Sequence, residues 1–194
     1  MTPWNLSAAT RCALLGYSRA LLGWRLGSRY RHGQEPHLTL EDPILDETPG
    51  LFVTLRKYGE LRGCIGTIRT SQPLRSTLRR VTLEAALEDP RFDPVTDDEI
   101  QLCVIEHSIL TVPREVEGIG EINLGSDGII LSVAGKRALF LPEVSREQGW
   151  DLSTTLSHLA RKAGLSSDAW RGEDARFEVF ETVHYTEEEC VNGR

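Results

Sequence analysis

A predicted β-hairpin followed directly by a predicted helix constrains the fold of this chain more than any other feature. Pro49-Gly50 precedes a strand over 51–57, Tyr58-Gly59-Glu60 forms a turn, and residues 61–68 return as a second strand. Pro73 suits the first turn of a helix that continues to about residue 88. Asp127-Gly128 precedes another hairpin, with strands over 129–134 and 137–141 joined across Gly135-Lys136. Helices and hairpins therefore mix without the β–α–β alternation of a parallel sheet. The pattern predicts an α+β fold, with a mixed or antiparallel sheet and flanking helices.

The size and charge of the chain limit the classes of protein to which it can belong. A length of 194 residues suits one domain, or one domain with a smaller lobe. The net charge of -7 argues against general nucleic-acid binding, which requires a basic surface. No uninterrupted apolar run reaches the roughly 18 residues that span a bilayer. We therefore expect a single domain over 1–194, with no nucleic-acid partner and no membrane span.

Residues 1–34 form a basic segment, with five arginines and no aspartate or glutamate. Such a segment can be a targeting sequence, a membrane-surface helix or a basic helix docked on an acidic body. Apolar residues recur at near-helical spacing from Cys12 to Leu26, which favours a docked helix over about 7–27. At the other end, residues 187–194 are predicted to be a frayed tail.

The four cysteines are dispersed along the chain, at Cys12, Cys64, Cys103 and Cys190. None belongs to a Cys-x-x-Cys pair, which argues against a structural zinc site, and no other metal-ligand cluster is evident. A chain of this size without a signal peptide is typical of the reducing cytoplasm. The sequence therefore predicts a cytoplasmic protein with four free thiols and no metal site.

The segment Leu61-Arg62-Gly63-Cys64-Ile65-Gly66 is the best functional candidate. Alternate side chains of a strand share a face, so Arg62, Cys64 and Gly66 are expected on one side. A guanidinium roughly 7 Å from the thiol, Cα to Cα, favours the thiolate, which is the reactive form of cysteine. Glycine weakens a strand, so Gly63 and Gly66 are expected to admit a backbone or a ligand. A second interpretation makes Cys64 a buried small hydrophobe and the glycines a packing feature.

This segment resembles the signature of the AMMECR family, and further blocks in family order extend the resemblance over residues 8–180. The blocks include Phe52-Val53-Thr54-Leu55, Asp89-Pro90-Arg91-Phe92, Ile105-Glu106, Ser108-Ile109-Leu110, Leu139-Phe140-Leu141-Pro142, Glu147-Gln148-Gly149-Trp150-Asp151 and Lys162-Ala163-Gly164-Leu165. His107 departs from the pattern, which has a small branched apolar residue there. We expect a structural or surface histidine at this position, and no pair between it and Cys64.

The resemblance implies an α+β fold with a larger and a smaller lobe. It also implies two partners, a Memo-like protein and a radical S-adenosylmethionine enzyme. It brings no settled catalytic roles to this sequence and leaves the cofactor unknown.

Two functions fit the candidate segment. The first is an enzyme, or a component of an enzyme system, in which Cys64 is a nucleophile or thiol ligand beside Arg62. Glu106 then orients Arg62 or acts as a base, while Gly63, Gly66, Arg91 and Ser108 contact the substrate. As an acid on an otherwise apolar strand face, Glu106 is either paired with an arginine, Arg62 or Arg91, or functionally poised. Arg91 could equally serve a structural ion pair with Asp89. The second function is a non-catalytic module, whose signature forms a rigid groove for a protein or peptide and whose cysteine is inert.

Overall fold

The computed structural model describes residues 6–27 and 33–192, which form helices and antiparallel strand pairs. The helices are α1 (Ala8–Leu26), α2 (Leu74–Leu87), α3 (Asp97–Ile100), α4 (Pro142–Gln148), α5 (Leu152–Lys162) and α6 (Glu187–Asn192). The strands are β1 (Gly50–Lys57), β2 (Glu60–Thr67), β3 (Cys103–Leu110), β4 (Arg114–Val116), β5 (Gly128–Val133), β6 (Lys136–Phe140), β7 (Arg176–Phe180) and β8 (Thr182–Thr186). The predicted α+β class is confirmed. Within the described ranges, every helix is too short or too polar to cross a membrane.

The chain divides into two compact units. The larger unit contains the chain up to Leu110 together with the segment from Val183 onwards, and the smaller unit is Thr111–Thr182. The sheet of the larger unit has the strand order β2-β1-β3-β8, and β1 pairs antiparallel with both β2 and β3. The sheet of the smaller unit has the order β4-β7-β5-β6, with antiparallel pairs throughout.

The core of the larger unit lies between its sheet and two helices. Alternation along β1 brings Leu51, Val53 and Leu55 to one face, where all three are 0% exposed. They pack against leucines of α1 and α2, such as Leu14 and Leu78. We call this helix-covered side the inner face of the sheet and the opposite side its outer face.

The predicted N-terminal helix is present as α1. Ser7 caps it by accepting a hydrogen bond from the Thr10 amide at 3.0 Å, and the helix ends before Gly27. The parts of the basic segment at residues 1–5 and 28–32 lie outside the described residues.

Two predictions for the ends of this unit are wrong. Residues 187–192 form helix α6 instead of a frayed tail, whereas residues 193–194 lie outside the described residues. The predicted set of four free thiols is also incorrect, because Cys12 and Cys190 form a disulfide across 178 positions of sequence, with their Cα atoms 5.6 Å apart. The free cysteines are Cys64 and Cys103. Distant pairing of this kind leaves no local signal in the sequence, which explains the missed disulfide. The start of α6 did carry a local signal, the acidic first turn Glu187-Glu188-Glu189.

The smaller unit is organised by the hairpin predicted after Asp127-Gly128, which the structure forms from β5 and β6 with its turn one residue before the predicted Gly135-Lys136. Its turn residues Ala134 and Gly135 have positive φ angles of 48° and 77°, the conformation that tight hairpins require. Asp151 caps α5 by accepting a hydrogen bond from the Thr154 amide at 2.7 Å.

Candidate functional site

The outer face of the larger sheet carries the polar residues of β1, β2 and β3. Cys64, Thr54 and Glu106 stand in one row across these strands, because Cys64 pairs with Thr54 and Thr54 pairs with Glu106. The next row contains Gly66, Phe52 and Ser108. We call the set of Thr54, Arg56, Cys64, Glu106, Ser108 and His184 the outer polar site.

Cys64 is half-buried on β2, and its sulfur accepts a hydrogen bond. The donor is the Thr54 hydroxyl on β1, with Oγ1 and Sγ 3.3 Å apart. Thr54 is therefore the side chain that binds the thiol directly, and the sequence pattern did not predict this contact.

The backbone of Cys64 is clamped by the loop that follows α2. Its N–H donates to Asp89 Oδ2 at 2.8 Å, and its carbonyl accepts from Arg91 Nη2 at 3.1 Å. The two clamp residues also pair with each other, with Arg91 Nη2 and Asp89 Oδ2 2.6 Å apart. The hydrogen bond from Arg91 and the one from the Cys64 amide lower the pKa of Asp89 to about 2, against the opposing effect of burial. Arg91 thus forms both an ion pair with Asp89 and a hydrogen bond to the backbone of β2, so it positions Cys64 from the edge of the sheet.

Arg62 does not join Cys64 in this structure. A β-bulge shifts the register between Leu55 and Arg56, so that Leu55 faces Gly63 while Arg56 faces Leu61. Arg62 is the extra residue, and the alternation behind its predicted pairing with Cys64 is interrupted there. Its guanidinium forms an ion pair with Glu99 of α3, Nη2 to Oε2, at 3.0 Å.

Glu99 forms ion pairs with two basic side chains at the end of the sheet. Besides Arg62, it binds Lys57 with an Nζ–Oε1 distance of 2.8 Å. The hydrogen bonds from Arg62 and then Lys57 lower the pKa of Glu99 to about 2. The charge of Arg62 is therefore balanced by a carboxylate and is not directed at the thiol.

Glu106 has a different partner from either of those predicted. It forms an ion pair with Arg56 of the neighbouring strand, Nε to Oε1, at 3.0 Å, with side-chain exposures of 32% for Arg56 and 13% for Glu106. Sequence reasoning could not find this pair, because it depends on the spatial order β2-β1-β3. The predicted interactions of Glu106 with Arg62 or Arg91 are corrected accordingly.

Ser108 and His184 meet on the same outer face. The Ser108 hydroxyl and His184 Nδ1 are 3.2 Å apart, with Ser108 buried and His184 half-buried. The sequence analysis singled out Ser108 but gave His184 no role, since β8 arrives beside β3 from the far end of the chain. Of the predicted site residues, the structure therefore brings Cys64, Gly66, Glu106 and Ser108 to one face.

The two signature glycines have packing neighbours that explain them. A Cβ atom at Gly63 would lie 2.1 Å from the Ala85 carbonyl oxygen of α2, on the inner face. A Cβ atom at Gly66 would lie 2.3 Å from the ring of Phe52 and 2.5 Å from the Leu51 carbonyl oxygen. Gly63 thus admits the backbone of a helix, whereas Gly66 lies beneath an aromatic ring next to Cys64.

His107 lies on the inner face, as the alternation predicts. It is 0% exposed, with Nε2 3.0 Å from the Ser18 hydroxyl and Nδ1 3.2 Å from the Tyr185 hydroxyl. Burial, followed by the nearby His184, lowers the pKa of His107 to about 3, so the ring is neutral. The expectation of a structural histidine separated from Cys64 is confirmed. Across the described ranges, no group of three or more His, Cys, Asp or Glu side chains is arranged to hold a metal ion.

Comparison with known proteins identifies similar chains along most of this sequence. A family model described as AMMECR1 matches residues 24–185. Protein MJ0810 of Methanocaldococcus jannaschii is 37% identical over 181 residues, which cover 89% of this chain and 88% of that protein. Protein MK0488 of Methanopyrus kandleri is 41% identical over 154 residues, 75% of this chain and 74% of that one. The crystal structure of uncharacterized protein PH0010 from Pyrococcus horikoshii superposes with a TM-score of 0.79 at 34% identity, covering 90% of both chains.

Proposed function

The chain belongs to the AMMECR1 family, and we propose that its outer polar site is a thiol-centred catalytic site with Cys64 as the nucleophile. The observation that carries the proposal is the hydrogen bond from Thr54 Oγ1 to Cys64 Sγ at 3.3 Å. A half-buried thiol with a hydrogen-bond donor already aimed at its sulfur is placed to act as a nucleophile. The backbone of Cys64 is also fixed at the edge of the sheet by its hydrogen bonds with Asp89 and Arg91.

Glu106 is the base in this proposal. It stands opposite Thr54 in the register, where paired residues have Cβ atoms about 4.5–5.5 Å apart. In this structure the Thr54 hydroxyl donates to the sulfur, so the transfer requires it to turn towards the Glu106 carboxylate. It then passes its own proton to Glu106 and accepts the proton of the thiol. Arg56 keeps the carboxylate in place from its other side.

The chemistry suited to such a site is addition of the thiolate to a carbonyl carbon. The sulfur supplies the electron pair of a new C–S bond, and the carbonyl π pair moves onto oxygen. The ring of Phe52 over Gly66 gives the substrate an apolar flank beside the thiol. Arg62, which is bound to Glu99, has no part in this step.

The setting we propose is the cytoplasmic enzyme system that the family resemblance implies, with a Memo-like protein and a radical S-adenosylmethionine enzyme as partners. Cys64 then acts on a substrate that this system makes or consumes. The rival is a non-catalytic docking module, and one observation favours it. The Asp89–Arg91 clamp makes the edge of β2 rigid, which also suits a groove for a protein or peptide.

Thr54→Val tests the catalytic proposal through the thiol itself. Removal of the hydroxyl is expected to slow alkylation of Cys64 by iodoacetamide at neutral pH about 3- to 10-fold, the equivalent of one hydrogen bond. Thr54→Ser should retain the wild-type rate. Thr67→Val is the matched control, because the Thr67 hydroxyl donates to the Arg69 carbonyl and not to the thiol. An unchanged rate in Thr54→Val would contradict the proposal and leave the docking module as the better account.

A further inference from the structure

The Cys12–Cys190 disulfide ties the last helix of the chain to the first. Cys12 and Arg19 lie about two turns apart on one face of α1, and both bind α6, Cys12 through the disulfide and Arg19 through an ion pair with Glu187. Because Glu187 and Cys190 are three residues apart, they also share one side of α6. Helix α6 is therefore attached at two points along one stripe of α1.

Glu187 connects this attachment to the sheet. One of its oxygens accepts a hydrogen bond from the Ile105 amide of β3 at 2.8 Å, and Arg19 Nε donates to the other at 2.8 Å. The same guanidinium donates to the Ile100 and Cys103 carbonyls, at 2.6 Å each. Arg19 and Glu187 together hold the junction where α3 ends and β3 begins.

We infer that the Cys12–Cys190 disulfide is a redox latch whose reduction releases α6 and loosens the start of β3. Both sulfurs are on half-buried residues, within reach of a small dithiol. Without the covalent link, the polar contacts that hold α6 are the Arg19–Glu187 pair, whose side chains are 30% and 21% exposed, and the hydrogen bond from the Ile105 amide to Glu187. Both of these contacts run through the one side chain of Glu187, so the disulfide is the second anchor of α6. The inference does not depend on the function proposed for Cys64.

The reaction that breaks the disulfide is thiol–disulfide exchange with a dithiol reductant. One thiolate of the dithiol attacks a bridge sulfur, a mixed disulfide forms, and the other bridge sulfur leaves as a thiolate that takes up a proton. The second thiol of the reductant then displaces the first cysteine. The dithiol supplies both electrons and becomes a disulfide, while Cys12 and Cys190 become thiols.

The test is amide hydrogen exchange of the folded protein with and without dithiothreitol, with the thiols counted by mass. Reduction should convert two free thiols to four and accelerate exchange of the Ile105 amide by at least about 10-fold. The amide of Val53, in the middle of the sheet, should be unchanged. The double variant Cys12→Ser/Cys190→Ser should exchange quickly at Ile105 whether or not reductant is present.

Three outcomes would overturn the inference. One is finding four free thiols before any reductant is added. Another is a disulfide that resists dithiothreitol until the whole protein unfolds, which would make it a structural staple. The third is complete reduction with no change at Ile105. If the double variant does not fold, the wild-type protein with and without reductant still decides among these outcomes.

Discussion

The inner and outer faces of the larger sheet are built from the same strands, yet their polar residues differ in kind. Glu106, His107 and Ser108 are consecutive on β3, and alternation sends His107 inwards and its two neighbours outwards. His107 is fully enclosed by hydroxyl partners and neutral. Glu106 keeps 13% of its side chain exposed and carries an ion pair. Consecutive residues can thus have different roles, because the one on the inner face packs in the core whereas those on the outer face belong to the candidate site.

The largest expected effect comes from adding a methyl group to the inner face. Gly63→Ala would place a Cβ atom 2.1 Å from the Ala85 carbonyl oxygen, and the backbone of α2 cannot turn aside as a side chain could. We expect the free energy of unfolding to fall by about 3 kcal/mol, as measured by urea denaturation. Gly16→Ala is the matched control, since a Cβ atom there meets nothing within 4 Å. Equal stabilities for the two variants would contradict close packing at Gly63.

The buried histidine should make stability depend on pH. The pKa of His107 falls from 6.5 to about 3 on folding, so below pH 6.5 the unfolded chain binds more protons than the folded one. The free energy of unfolding is therefore expected to fall with pH below 6.5, approaching about 1.4 kcal/mol per pH unit. Asp89 and Glu99, each with a pKa of about 2, lose their contributions only at lower pH.

Urea denaturation between about pH 4.5 and 6.5 measures this slope in the wild type and in His107→Gln. The variant should give a flatter profile, because glutamine does not titrate in this range. A wild-type profile as flat as that of the variant would show that His107 is not held neutral by burial.

Paired threonine substitutions sharpen the comparison of the two faces with one chemical change. The Thr82 hydroxyl is buried against Ser18, 3.0 Å away, beneath the inner face. Thr82→Val removes one of the two hydrogen-bond partners of the buried Ser18 hydroxyl and leaves its bond to His107, so we expect a loss of about 1–2 kcal/mol in the free energy of unfolding. Thr54→Val on the half-buried outer face should cost less than about 0.5 kcal/mol. The reverse order in thermal or urea unfolding would refute the division of the two faces.

The sequence predicted local elements better than the partners of individual side chains. The helix over about 7–27 and the hairpin after Asp127-Gly128 were predictable because capping, periodicity and turn chemistry lie within a few neighbouring residues. The bulge at Arg62 was not, since a one-residue shift depends on how β2 packs against β1. The partner of Glu106 and the Cys12–Cys190 disulfide depend on tertiary order alone. At the candidate site, Cys64, Glu106 and Ser108 were predictable from the sequence, whereas Thr54, Arg56 and His184 were found only in the structure.

Whether Cys64 is a reactive thiol is tested most directly by the relative rate at which the two free cysteines of the folded, non-reduced protein are alkylated. Cys103 is buried, and that burial raises the pKa of its thiol. Cys64 is half-buried and accepts the hydrogen bond from Thr54. With iodoacetamide at neutral pH and peptide mass analysis, we expect Cys64 to be modified at least about 10-fold faster than Cys103. If Cys64 reacts no faster than Cys103, or only after the protein unfolds, the thiol is a packing residue and the outer polar site is not thiol-centred.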